Sequence, residues 1–82
     1  MDKYIVAIGE ETFNVDADDN QGARYSAAAD FKAAHPEISD ASLTSIANYA
    51  KARMVTQPRE TGLTTKELIS LLKKEIKEKA TG

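Results

Sequence analysis

Two short β-forming runs separated by a glycine do most to limit what this chain can fold into. Lys3 to Ile8 (K-Y-I-V-A-I) is β-branched and aromatic, and Gly9 closes it. Thr12 to Val15 is a second run, with Phe13 and Val15 on one face and Thr12 and Asn14 on the other. Only Gly9-Glu10-Glu11 lies between them, which reads as a β-hairpin. Gly9 is the residue expected at positive φ, because it alone has no Cβ to clash there. Two strands are marginal in water by themselves, so the ribbon must be covered by a helix. The fold class this predicts is α+β, in one small domain.

The following residues supply that helix. Asp18-Asp19-Asn20-Gln21 has the spacing of a capping box, with Gln21 at the third helical position and acids at the positive end of the dipole. Ala23, Ala27, Ala28, Phe31 and Ala34 then recur at helical spacing, an alanine-lined face anchored by Phe31. His35-Pro36 ends it, since proline disfavours the α conformation at the residue before it. Ser39 or Asp40 is expected to cap a second helix carrying Leu43, Ile46, Ala47, Ala50 and Met54. The competing reading is a third strand from about Tyr49 to Val55, where Ala50, Ala52 and Met54 alternate with Lys51, Arg53 and Val55. Residues 56–62 (T-Q-P-R-E-T-G) form a polar connection and the one candidate hinge. Beyond it, Thr64 and Glu67 form a capping box before a stripe of Leu68, Leu71, Leu72 and Ile76, and Lys73, Lys74, Lys77 and Lys79 crowd the last turns. The expected core is Phe13, Val15, Ile5 or Val6, Phe31, Leu43, Ile46, Leu68, Leu71, Leu72 and Ile76. If the last helix does not bury its stripe, that stripe would mediate self-association.

Size and composition bound the function classes. A chain of 82 residues has room for a small core but little for an enclosed catalytic cleft. With no cysteine, disulfide staples, thiolate metal sites and cysteine nucleophiles are excluded. The N-terminus has no basic region followed by an apolar run, and the longest unbroken apolar run, Ile5 to Ile8, is far below a membrane span. A cytoplasmic protein without a membrane partner is expected.

No catalytic signature emerges, and none is expected of a protein read here as no enzyme, with no cofactor and no metal. Asp16, Asp18 and Asn20 match the opening of a calcium loop, but glycine falls one position late and Ala27 stands where a bidentate glutamate belongs. The single histidine, His35, has no nucleophile or second ligand nearby in sequence and suits a helix C-terminus. Glu10-Glu11 reads as a solvated hairpin tip, because catalytic carboxylates need environments that separate their pKa values. The four glycines fit no phosphate-binding loop, and no G-x-S-x-G elbow occurs.

Charge is what remains. Residues 1–40 hold nine acidic and three basic side chains, and residues 41–82 hold four and eight, so a formal −6 precedes a formal +4 within a net charge of −2. Such asymmetry favours a partner of opposite charge, or docking of one half on the other. The first expectation is a protein-binding, regulatory module whose contact is the acidic hairpin-to-helix turn (Asp16, Asp18, Asp19) or the basic last helix. The alternative is a nucleic-acid binder using Lys51, Arg53, Arg59, Lys73, Lys74 and Lys77.

The stretch Phe13-Asn14-Val15-Asp16-Ala17-Asp18, followed by Ala23-Arg24-Tyr25-Ser26-Ala27-Ala28, resembles small phage-encoded accessory proteins, in which a strand leads directly into a helix opening on this pattern. The resemblance covers about twenty residues. It implies a non-enzymatic protein that binds a host or viral complex. Gly62 to Leu68, with Leu71 and Leu72, is similar to the first helix of SAP- or LEM-like helical hairpins, which pair it with a second helix.

Overall fold

In a computed structural model, residues 1–55 and 62–81 are described, with side chains to Glu78. Two strands form first, β1 (Asp2–Ile8) and β2 (Glu11–Ala17), followed by helix α1 (Asn20–Ala34). A 3-10 turn at Pro36–Ile38, a short helix α2 (Leu43–Asn48), strand β3 (Lys51–Met54) and the long helix α3 (Thr65–Thr81) complete the chain. This is an α+β fold with one antiparallel sheet in the order β2-β1-β3.

The hairpin turns more tightly than expected. Ile8 pairs with Glu11, so only Gly9 and Glu10 form the loop. Gly9 stands at φ +62, and a Cβ there would lie 2.8 Å from the Thr65 backbone, so two independent reasons require glycine. The Glu10 N–H donates to Thr65 Oγ1 at 3.0 Å, which seats the start of α3 on the hairpin turn.

Residues paired directly across an antiparallel ladder share a face. Tyr4 pairs with Val15 and Met54, and Val6 with Phe13 and Ala52, so these side chains stand on the covered side. Helix α1 lies on that side against all three strands. Its Ala23, Ala27 and Ala28 are fully buried, and such small side chains let helix and sheet approach closely. Phe31 fills the centre and meets Phe13 edge-on at a centroid distance of 6.2 Å. Val6, Ile8, Ile38, Ile46, Leu68 and Leu72 complete a single core. Of the pair Ile5 or Val6, it is Val6 that is buried.

Several expectations are corrected. Strand β2 runs two residues beyond Val15, so the α1 cap shifts to Asp19, whose carboxylate accepts the Gly22 N–H at 2.7 Å. Glycine then occupies the third helical position, and the capping box with Gln21 does not form. Helix α2 is capped by Ser42 rather than Ser39 or Asp40, because Pro36 first starts a 3-10 turn that absorbs those residues. The middle segment is helix and then strand: the helical period lasts through Asn48, and alternation takes over at Lys51. Leu43 and Leu71 are 37% and 39% exposed and do not join the core. Helix α3 does bury Leu68 and Leu72, and the Thr64 hydroxyl accepts the Glu67 N–H at 3.1 Å as its cap. The expected hinge, with Arg59, falls outside the described residues except for Gly62.

Candidate docking face

The side of the sheet away from α1 carries the remaining partner set. Across the strands it reads Asn14, Ile5, Arg53 in one row and Thr12, Ala7, Lys51 in the next, with Asp16 opposite Lys3 beyond them. Ala7 is buried and Ile5 half-buried, while Lys3, Thr12, Asn14, Asp16, Lys51 and Arg53 are exposed. An antiparallel sheet commonly keeps one face in water, and this one does so with a mixed surface. Strand spacing makes the face roughly 10 Å wide and 14 Å long.

Three cations therefore surround one apolar side chain. Among the described residues Lys3, Lys51 and Arg53 make no ion pair. Val55, 55% exposed, follows β3, and with Lys3, Asn14 and Asp16 from this face and Tyr4 and Val15 from the other it lines an open recess of about 370 Å³ at the end of the sheet. Met54, 52% exposed, adds apolar surface at the β3 edge. Among the described residues strand β3 pairs only with β1, and its lysine and arginine discourage edge-to-edge pairing with another sheet.

A second group of acids lies in and around α1. Asp18 and Asp19 precede α1, Asp30 projects from it, and Glu37 and Asp40 follow in the 3-10 turn and beyond, all exposed. The fold thus separates the acidic trio named from sequence. Asp16 lies on the open sheet face beside Lys3, Asp18 is exposed in the turn, and Asp19 is occupied as a cap. The basic set separates as well: Lys51 and Arg53 stand on β3, whereas Lys73, Lys74 and Lys77 are on α3.

His35 has a structural setting. Its ring lies against Phe31 at 4.5 Å, Nε2 meets Glu11, and Nδ1 lies 3.4 Å from Glu37, which ties the end of α1 to the hairpin. The two carboxylates address different ring nitrogens, so one ion could not gather all three groups. Among the described residues no trio of histidine or acidic side chains is placed to hold a metal. Nor is any helix among them long and apolar enough to cross a membrane.

Sequence reasoning did not single out Lys3, Ile5, Thr12 or Asn14 as a surface. A signal was present, because Thr12 and Asn14 alternate with Phe13 and Val15, which places them on the outward face. That Lys51 and Arg53 would join them depended on β3 pairing with β1, which alternation within one strand does not encode. No protein-family model matches the chain, and neither a curated protein nor a solved structure is found to be similar to it.

Proposed function

We propose that this protein is a small non-enzymatic binding module, regulatory or accessory in role, that docks a protein partner through the open face of its sheet. The observation that carries this reading is the ring of Lys3, Lys51 and Arg53 around Ile5 on a face that no element covers among the described residues. An apolar centre with a cationic border matches a partner surface that is apolar at its middle and acidic around it. Ile5 and Val55 supply the desolvated contacts, and the three cations select and orient the partner. Within this proposal the chain is an accessory factor of the phage-encoded kind that residues 13–28 resemble.

The nucleic-acid reading is the second one, favoured by the grouping of three cations on a flat face. Against it stand Asp16 beside Lys3, and the lack of an aromatic side chain on this face among the described residues for a base to stack on.

The test is fluorescence anisotropy of a labelled peptide alternating glutamate and leucine, beside random single- and double-stranded DNA of matched charge, at low and physiological salt. The proposal expects the peptide to bind at both salts and the DNA only at low salt. Lys51→Glu with Arg53→Glu should weaken the peptide about tenfold or more. DNA binding that exceeds the peptide's, and falls steeply with salt, would replace this reading with the nucleic-acid one. Peptide binding indifferent to the double substitution would remove the sheet face from the account.

A further inference from the structure

Helix α3 turns Leu68 and Leu72 into the core and leaves a second surface outward. There Lys66, Glu67, Ser70, Leu71 and Lys74 wall an open recess of about 440 Å³. Four of these residues, Glu67, Ser70, Leu71 and Lys74, stand at i, i+3, i+4 and i+7. That is the arrangement of four side chains that receives one knob from a facing helix in coiled-coil packing. A lone exposed leucine needs no explanation. What sets this patch apart is that its charges complement themselves.

We propose that α3 pairs with α3 of a second copy of this chain, antiparallel, about a two-fold axis between Ser70 and Leu71. In that register Leu71 of each copy enters the recess of the other beside Ser70, whose small side chain leaves it room. Glu67 of each copy then faces Lys74 of the other, giving two opposite-charge pairs that flank the apolar contact. A parallel pair would set Glu67 against Glu67 and Lys74 against Lys74, so charge selects the antiparallel arrangement. The contact is isologous and closes at two copies. Leu71 is the one exposed large apolar side chain of the described part of α3, so the area buried falls below that of a stable complex. A dissociation constant of about 0.1–1 mM is expected.

This surface is separate from the open sheet face, and the proposal stands without the docking reading. Sedimentation velocity from about 10 µM to 2 mM tests it, a span that brackets the expected constant. The wild type should move from monomer to dimer across that range. Glu67→Lys alone and Lys74→Glu alone should each weaken self-association about tenfold or more, while an equimolar mixture of the two variants should associate again. Both side chains are exposed, so circular dichroism should show both variants folded. A wild type that stays monomeric at the highest concentration overturns the proposal. So does self-association that the single variants leave intact, or a mixture that does not recover it.

Discussion

Burial raises the Tyr49 phenol above its ordinary pKa of 10.0, and the negative charge of Glu75 and a hydrogen bond to it push in the same direction. The hydroxyl donates to Glu75 Oε1 at 3.4 Å and links the end of α2 to α3. A raised folded-state pKa means that ionisation favours the unfolded chain. The contribution of Tyr49 is therefore complete below about pH 10 and is lost as pH rises through the folded value. Tyr49→Phe should lower stability at neutral pH by about 0.5–1 kcal/mol. The gap between wild type and variant should close above pH 10.0. Urea unfolding of both proteins from pH 7 to 11 checks this, and a gap that stays constant would detach Tyr49 from Glu75. At this scale Gly9 was readable from sequence as a turn residue. The second demand on it was not, because the approach of Thr65 arises from residues 56 positions further along the chain.

Among the elements, α3 shows both what the sequence pattern carries and where it stops. Its cap at Thr64 and its stripe were legible, since both follow from spacing within one helix. Which edge of the stripe faces inward was not. Leu72 is fully buried while Leu71, one position away, is 39% exposed. Placing aspartate at 72 buries an unpaired charge, and Leu72→Asp should cost about 3–5 kcal/mol, close to the whole stability of a domain this small. Leu71→Asp should change monomer stability by no more than about 0.5 kcal/mol. Thermal unfolding followed by circular dichroism separates the two, and equal losses would refute the assigned orientation of α3. The α2–β3 segment resisted prediction because Leu43, Ile46, Ala47 and Ala50 satisfy the helical period while Ala50, Ala52 and Met54 satisfy alternation. Pairing with β1 decides where one gives way to the other. The shifted caps at Asp19 and Ser42 have a related cause, since β2 runs on to Ala17 and a 3-10 turn at Pro36–Ile38 precedes α2, so each helix starts later than local capping chemistry alone suggests.

On the scale of the whole molecule, the fold brings cations from both halves of the chain onto one side of the sheet. Asp18, Asp19, Glu37 and Asp40 stand in the turns that flank α1, which itself carries Asp30 beside Arg24 and Lys32, and Lys3, Lys51 and Arg53 gather on the opposite side of the sheet. The asymmetry itself was visible in the sequence. Its geometry was not, because Lys3 comes from the acidic segment and joins the cations only through the β1–β3 pairing. In the proposed function this open, cation-rimmed face holds the partner. The most direct test is amide chemical-shift mapping of the labelled protein, titrated with the glutamate–leucine peptide at physiological salt. Docking on the open face should confine the shifts to Lys3, Ile5, Thr12, Asn14, Lys51, Arg53 and Val55, with α1 and α3 unmoved. Shifts centred on the α3 lysines or on the Asp18–Asp19 turn, with the sheet silent, would contradict it.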